Sequence, residues 1–197
     1  MANLKEEKTV VIVKPDGVKR GLTGEIVRRI EQRGLKVIAL KMFWATHEQM
    51  DAHYPKDREW ITGLGKNTAR AYEEYKLEQT LQADFGTEDL YEIGKNVRAW
   101  LVEYMTSAPL VKMVVSGLHA IPMVRKIVGN TLPSFAEMGT IRGDFSIDSP
   151  ALANAEKRAV HNLVHASGNA EEAANEIQLG FSPEELHDYK RAAEDIL

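Results

Sequence analysis

The alternation of hydrophobic and polar residues predicts a strand, a helix and a second strand in the first quarter of the chain. Residues 9–13 are β-branched and apolar on both faces, which is typical of a buried central strand. From Thr23 to Gly34 the apolar residues recur at helical spacing, which predicts an amphipathic helix. The next residues, Leu35 to Thr46, alternate between apolar and polar side chains and predict a long second strand.

The second half of the chain repeats this order of elements. Residues Val111 to Ser116 predict a third strand, Ile121 to Val128 a third helix, and Asp144 to Ile147 the start of a fourth strand. The βαββαβ order indicates the α+β class. It matches a ferredoxin-like sandwich, in which helices pack on one face of a four-stranded antiparallel sheet.

The middle of the chain interrupts this order with helical material. Residues 51–96 are rich in Glu, Lys, Tyr and Gln, and Gly63, Gly65 and Gly86 are loop signals. A helix is expected from Val97 to Met105, where apolar residues again recur at helical spacing. We therefore predict a helical insertion at about residues 60–96.

The end of the chain carries two helix-start signals. Asn169 and Ser182 each stand three residues before a glutamate, and Pro183 suits a first helical position. The second of these helices is predicted to form a C-terminal tail at about residues 180–197. A length of 197 residues suits one domain that carries this insertion and tail, so we expect a single domain over residues 1–197.

Composition excludes several classes of protein. The formal charge of -4 gives no general attraction to nucleic acid or to an anionic membrane. Cysteine is absent from the sequence, which excludes disulfides, thiolate metal sites and cysteine nucleophiles. The apolar runs are short and the first residues are polar, so neither a membrane span nor a signal peptide is predicted. A cytoplasmic location is expected.

Two cations stand where they can meet an anion. Lys14 directly follows the first strand, and Pro15 restricts the backbone at that point. Arg142 stands beside Gly143, where a guanidinium can hold a phosphate with two hydrogen bonds. A solvated lysine and a surface salt bridge between Arg142 and Asp144 are the alternative interpretations, and the residues alone leave them open.

Two familiar motifs are excluded by their flanking residues. Residues 63–66, Gly-Leu-Gly-Lys, lack the first glycine and the final Ser or Thr of a P-loop. His161 and His165 have helical spacing for two metal ligands, but Asn162 stands where a zinc hydrolase needs glutamate. A metal hydrolase therefore ranks far behind other functions.

The segment Asn162-Leu-Val-His165-Ala-Ser167 is the most specific feature of the sequence. A buried or capping histidine is the common alternative, but a neutral imidazole is also a competent nucleophile toward phosphorus. The predicted topology can gather three cations near one face, and these favour the nucleophile. They are Lys14, Arg125 and Arg142.

These motifs, in this order, resemble the nucleoside diphosphate kinase family. The resemblance covers most of the chain except the middle insertion and the tail, and it rests on several independent motifs. The matching segments are residues 9–24, His53-Tyr54, residues 104–107 with Pro109, residues 125–131, residues 140–145, and residues 162–167 with Glu176.

The resemblance implies transfer of the γ-phosphoryl group of ATP or another nucleoside triphosphate to a nucleoside diphosphate, by a ping-pong route through phosphohistidine. It also implies Mg²⁺ carried by the nucleotide phosphates and a homo-oligomer, either a hexamer or a tetramer. His165 would be the nucleophile, and Glu176 with Ser167 would orient its imidazole. The residues that would hold the phosphates and ribose are Lys14, Tyr54, Arg125, Thr131, Arg142 and Asn162.

The chain departs from the family pattern at three places. Counting back from Tyr104 places Val97 where the family usually has a phenylalanine that stacks on the base, with Leu101 on the opposite side. Because an aliphatic clamp cannot stack as an aromatic ring does, altered affinity or base preference is expected. The other two departures are the enlarged helical hairpin and the extra residues 148–158, beyond which Ala166 and Gly168 replace the family's Gly and Asp.

A second hypothesis is a nucleotide-binding scaffold of the same fold with reduced or no kinase activity. Such a relative is expected to lose residues of the catalytic set, whereas this chain keeps His165, Lys14 and Arg142. The sequence therefore favours an active kinase.

Overall fold

Four strands form one antiparallel sheet in the computed structural model, which describes residues 6–192. The sheet order is β2-β3-β1-β4, and β1 is central, pairing with β3 along its whole length and with β4 at its end. The predicted ferredoxin-like α+β fold is thus confirmed. The strands are β1 (Glu6–Val13), β2 (Lys36–Phe43), β3 (Leu110–Leu118) and β4 (Val164–Ala166).

Helices connect and cover these strands. Within residues 6–192, no helix is both long enough and apolar enough to cross a membrane. The helices are α1 (Pro15–Lys19), α2 (Thr23–Gln32), α3 (His47–His53), α4 (Arg58–Glu74), α5 (Leu81–Phe85), α6 (Leu90–Thr106), α7 (Ala120–Val128), α8 (Ile141–Phe145), α9 (Pro150–Ala155) and α10 (Ala170–Gly180).

Apolar residues cover both faces of the sheet. Val11 and Val13 pack with α2 and α7, whereas Val10 and Ile12 pack on the opposite face with Met105 of α6. The expectation that helices cover one face only is wrong, because successive residues of a strand point to opposite faces and all four of these are buried. The central strand is therefore packed on both faces, and Lys14 directly follows its last residue.

The predicted fourth strand at Asp144–Ile147 is wrong. Residues Ile141–Phe145 form helix α8, whose start is capped by Thr140, since the Thr140 hydroxyl accepts a hydrogen bond from the backbone N–H of Gly143 at 3.1 Å. The fourth strand is instead Val164–Ala166. A strand of three residues is too short to show an alternation in the sequence.

The predicted C-terminal helix is replaced by a short turn. Ser182 caps a single 3₁₀ turn at Pro183–Glu185, and residues 186–192 contain no helix. Contacts to β2 hold this segment instead: Glu185 pairs with Lys41 at 2.8 Å, and the Tyr189 hydroxyl donates to a β2 carbonyl at 2.9 Å. Residues 193–197 of the predicted tail lie outside the described residues.

The helical hairpin of α4 and α6 depends on two glycines, Gly65 and Gly94. Gly63 and Gly65 both lie inside α4, so the loop predicted there is wrong. A Cβ atom on Gly65 would lie 1.8 Å from the Leu90 carbonyl oxygen, and one on Gly94 would lie 1.9 Å from the Ile61 carbonyl oxygen. Each helix therefore places a glycine against the backbone of the other, which allows α4 and α6 to cross closely.

We expect Gly94→Ala to lower the free energy of unfolding by roughly 2–3 kcal/mol, because its methyl group would collide with the backbone of α4. Gly63→Ala is the matched control, since no atom lies within 4 Å of a Cβ at that position. The control should raise stability by up to about 1 kcal/mol, because glycine costs free energy within a helix. Urea unfolding of both variants measures this difference, and equal effects would contradict the close crossing.

Candidate active site

A cavity of about 300 Å³ lies where β1 ends and its antiparallel neighbour β4 begins. It brings together six of the residues singled out in the sequence, which come from widely separated segments. They are Lys14, Arg125, Thr131, Arg142, Asn162 and His165.

Histidine 165 is fixed by a chain of hydrogen bonds. It lies on β4 opposite Ile12, and its Nε2 is 2.6 Å from Oε1 of Glu176 on α10. The other carboxylate oxygen of Glu176 accepts from the Ser167 hydroxyl at 2.8 Å. The Ser167 hydroxyl oxygen in turn accepts from the Val10 backbone N–H at 3.0 Å. The imidazole orientation is therefore tied to the central strand.

The carboxylate selects the imidazole tautomer. Burial by itself raises the pKa of Glu176, but the hydrogen bonds from His165 and Ser167 and the nearby imidazoles outweigh it and hold this pKa below its usual value. An ionised carboxylate only accepts hydrogen bonds, so the proton of the neutral imidazole resides on Nε2 of His165. Its Nδ1 then carries a free lone pair.

Lysine 14 is buried rather than solvated, since only 7% of it is exposed. Its Nζ donates to Oδ1 of Asn162 at 2.7 Å, and the Asn162 amide donates to the Thr131 carbonyl at 2.9 Å. Burial, reinforced by the positive charge of Arg142, lowers the pKa of Lys14 to about 7. An anion in the cavity would stabilise the charged form of this lysine.

Arginine 142 joins the loop after α7 to the segment that leads into β4. Only 6% of it is exposed, and the alternative salt bridge with Asp144 does not form, because Asp144 pairs with Arg29 at 2.7 Å. The guanidinium instead donates to four backbone carbonyls. These belong to Asn162 at 3.0 Å, Gly129 at 2.8 Å, Asn130 at 3.1 Å and Val164 at 2.5 Å.

Asp16 is a site residue that the sequence reasoning did not single out. Its carboxylate accepts from the backbone N–H of Leu163 at 3.2 Å and from the Tyr104 hydroxyl. It thereby fastens the start of α1 to the approach to β4. The signal that could have identified it is its position two residues after Lys14, directly beyond the buried first strand.

A second cavity, of about 960 Å³, lies on the Glu176 side of His165. Tyr54 lines it together with Trp60, and the two ring centroids are 6.1 Å apart. His53 also lines it. Trp60 and His53 were not identified as site residues from the sequence. His53 belongs to the His53-Tyr54 pair that resembles the family, but no role was assigned to it, and Trp60 stands in none of the matching segments.

Val97 and Leu101 are not brought to either of these cavities. Both lie on α6, and Leu101 packs against the buried residues around Met105. The aromatic surface next to His165 is instead that of Trp60, at the start of α4. The second cavity is therefore lined by an aromatic side chain, whereas the expected aliphatic pair lines neither cavity.

Comparison with known proteins identifies relatives of this chain. The sequence model of the nucleoside diphosphate kinase family matches residues 7–61 and 72–186. A nucleoside diphosphate kinase from Pyrobaculum aerophilum is 49% identical over 180 residues, which cover 91% of this chain and 97% of that protein.

Solved structures give the same result. The crystal structure of an NDP kinase from Pyrobaculum aerophilum matches with a TM-score of 0.88 at 47% identity, over 93% of this chain and 100% of that chain. The nucleoside-diphosphate kinase from Borrelia burgdorferi, solved as a transition-state mimic with bound vanadate and ADP, matches with a TM-score of 0.76. The identity is 34%, over 96% of this chain and 95% of that chain.

The family match also locates a departure from the family pattern. Residues 62–71, inside α4, fall between the two matched segments, whereas residues 72–96 fall within the second. The fold, the sequence match and the related structures agree over most of the chain. The chain belongs to the nucleoside diphosphate kinase family and is a phosphotransferase.

Proposed function

We propose that this kinase transfers the γ-phosphoryl group of ATP or another nucleoside triphosphate to nucleoside diphosphates through a phosphohistidine at His165. The observation that carries this proposal is the 2.6 Å hydrogen bond between His165 Nε2 and Glu176. It leaves the Nδ1 lone pair free beside a cavity lined with cations. A positioned neutral imidazole is the nucleophile that such a transfer needs.

The reaction consists of two in-line displacements. In the first, the His165 Nδ1 lone pair forms a bond to the γ-phosphorus while the bond from this phosphorus to the β-phosphate oxygen breaks, releasing a nucleoside diphosphate. The ring then carries positive charge, which the Glu176 carboxylate stabilises. In the second, a terminal oxygen of another nucleoside diphosphate attacks the phosphorus and the N–P bond breaks.

The cations and amides of the first cavity hold the phosphates. Charge on the transferring phosphoryl group is spread over three equatorial oxygens, so positioning and electrostatic stabilisation supply most of the catalysis. Tyr54 contributes from the adjoining cavity. The residues assigned to phosphate and ribose contacts are Lys14, Arg125, Thr131, Arg142 and Asn162.

Mg²⁺ enters with the nucleotide as part of the substrate. Mg²⁺ takes oxygen ligands and is commonly held by one or two carboxylates together with substrate phosphates. The first cavity is lined by no carboxylate among the described residues, and the nearby Asp16 carboxylate already accepts from Gly17, Leu163 and Tyr104. This donor set supports an ion bound by the phosphates rather than by side chains.

Labelling tests the proposal directly. Incubation of the metal-free protein with Mg²⁺ and γ-labelled ATP is expected to place an acid-labile, base-stable label on His165, and a nucleoside diphosphate should discharge it. The alternative hypothesis, a nucleotide-binding scaffold with reduced or no kinase activity, predicts bound nucleotide without label.

We expect nucleotide binding at about pH 8 to take up a proton through Lys14. The pKa of this lysine is about 7 in the nucleotide-free protein, against 10.5 for an ordinary lysine. Between about pH 7 and pH 10.5, Lys14 is protonated in the unfolded chain but largely neutral in the folded protein. The stability of the nucleotide-free protein therefore rises with pH in this range. The negative charge of bound nucleotide phosphates raises the pKa of Lys14 again, so Lys14 takes up a proton when the nucleotide binds.

Calorimetry in buffers of different ionisation enthalpy measures this uptake. The Lys14→Met variant should lose it, whereas Lys126→Met, at an exposed position in α7, should keep it. Undiminished uptake in Lys14→Met would assign the proton to another group.

A paired substitution distinguishes the two proposed base contacts. We expect Trp60→Ala to raise the KM for nucleotides by roughly tenfold, because stacking on a base contributes about 1–3 kcal/mol. Val97→Ala should change KM less than about twofold, since Val97 does not line either cavity. Initial-rate measurements decide between them, and a larger effect at Val97 would support the clamp formed with Leu101.

Assembly and location remain predictions. A homo-oligomer, hexamer or tetramer, is consistent with exposed apolar side chains on the edge strand β2 and just beyond it, at Leu40, Met42 and Trp44. Light scattering of the purified chain measures the assembly. A cytoplasmic location stays a prediction of the sequence composition.

A further inference from the structure

A buried histidine next to the proposed nucleophile has no role in the mechanism described above. Only 7% of the His53 side chain is exposed, and it has no hydrogen bond to any residue in the range 6–192. Its Nε2 lies 3.7 Å from Glu176 Oε1, and its ring centroid lies 5.6 Å from that of His165. His53 therefore keeps a ring-nitrogen lone pair that no hydrogen bond in this range occupies, as a metal ligand requires.

Three potential metal ligands meet at this point. His53 comes from the end of α3, His165 from β4 and Glu176 from α10, and one ligand atom from each lies within 4.8 Å of the others. Two imidazoles and one carboxylate form a ligand set that zinc uses, with a fourth position left open for water. The three residues line the cavity of about 960 Å³, which gives a cation access and room for that water.

The electrostatic surroundings of His53 suit a neutral ligand. Burial is the largest of the effects that together lower the pKa of His53 to about 4; His165, Lys112 and Lys14 act in the same direction, and Glu176 opposes them. The ring is therefore uncharged at neutral pH and offers a lone pair, as metal ligation requires. Glu171 and Glu172 line the same cavity and attract cations toward it.

We propose that His53, His165 and Glu176 form a site for Zn²⁺, or a transition-metal ion of similar ligand preference, and that occupation of this site inhibits phosphoryl transfer. Mg²⁺ does not compete for it, because Mg²⁺ prefers oxygen ligands in octahedral geometry. The site is thus separate from the metal that the nucleotide carries.

The inhibition follows from the imidazole tautomer and rests on the proposed function. Zn²⁺ takes the lone pair of His165 Nε2, so the proton on Nε2 leaves and a proton binds Nδ1, without a net change in protons. The Nδ1 lone pair, which would attack phosphorus, is then occupied by this proton. Glu176 exchanges its hydrogen bond to His165 for a bond to the metal, so removal of Zn²⁺ by a chelator restores the original tautomer.

Calorimetric titration of the nucleotide-free chain with Zn²⁺ tests the binding site without using kinase activity. We expect one Zn²⁺ per chain, an affinity at least about tenfold lower in both His53→Asn and His53→Gln, and no binding of Mg²⁺ alone. His47→Asn is the matched control, because His47 is exposed at the other end of the same helix. Equal affinity in the His53 variants, or the absence of binding by the wild-type chain, would overturn the proposal.

A second measurement uses the wild-type protein alone. Long-range ¹H–¹⁵N spectra of the His165 ring should report the Nε2–H tautomer without metal and the Nδ1–H tautomer with Zn²⁺. An unchanged tautomer in the zinc-loaded protein would refute the proposed inhibition. Failure of the kinase proposal is distinguishable, since the metal-free protein would then take no label from ATP.

Discussion

The His165→Asn variant is expected to lose at least roughly three orders of magnitude in phosphoryl-transfer rate while it still binds nucleotide. Asparagine can occupy the position and accept or donate hydrogen bonds, but its amide has no basic lone pair for attack on phosphorus. The cations that hold the phosphates do not depend on the imidazole: Lys14 is held by Asn162, and Arg142 by backbone carbonyls. The change should therefore remove the chemistry and spare the binding.

Two assays on one preparation of His165→Asn measure phosphoryl transfer and nucleotide binding separately. Transfer is followed by label on the protein and by turnover, and binding is followed by titration with a nucleoside diphosphate. His119→Asn is the control, because His119 is exposed, lies at a φ of 54° that asparagine tolerates well, and lines neither cavity beside His165. Full turnover in His165→Asn would refute the phosphohistidine route.

Removal of the Arg142 side chain is expected to lower both activity and stability. Arg142→Ala should reduce kcat/KM by about a thousandfold, since an arginine that neutralises transferring phosphate has an effect of this order. It should also lower the free energy of unfolding by roughly 2–4 kcal/mol, because four backbone carbonyls, two of them in buried hydrogen bonds and two in partly buried ones, would lose their donor.

The Arg142→Lys variant separates charge from geometry. An ammonium keeps the positive charge but cannot span four carbonyls arranged around a planar guanidinium. We expect part of the stability to return while the loss of activity persists. Arg28→Ala is the control, since Arg28 is half-exposed and its ion pair with Glu25 lies on the surface of α2. Urea unfolding and initial rates measure both properties, and wild-type stability in Arg142→Ala would contradict a role in holding the two loops together.

Much of the candidate site was predictable because its chemistry is local. Lys14 follows a buried strand, Arg142 stands beside a glycine, and His165 follows an apolar approach, and the order of these short segments resembles one family, which implied their roles. The structure gathers all three around one cavity. The aromatic lining of the second cavity was not predictable in this way: Val97 was assigned by counting back from Tyr104, whereas Trp60 reaches the cavity beside His165 from another helix.

The sequence by itself determined the four-stranded α+β fold and the residues that can react, because periodic burial and residue chemistry are properties of neighbouring positions. Tertiary structure decided which three residues form the last strand and that Glu176, whose role the family resemblance had implied, bonds Nε2 rather than Nδ1 of His165. It also placed His53 against Glu176. These relations join residues that are far apart in the chain, and strand pairing and helix packing bring them together, which no local pattern records.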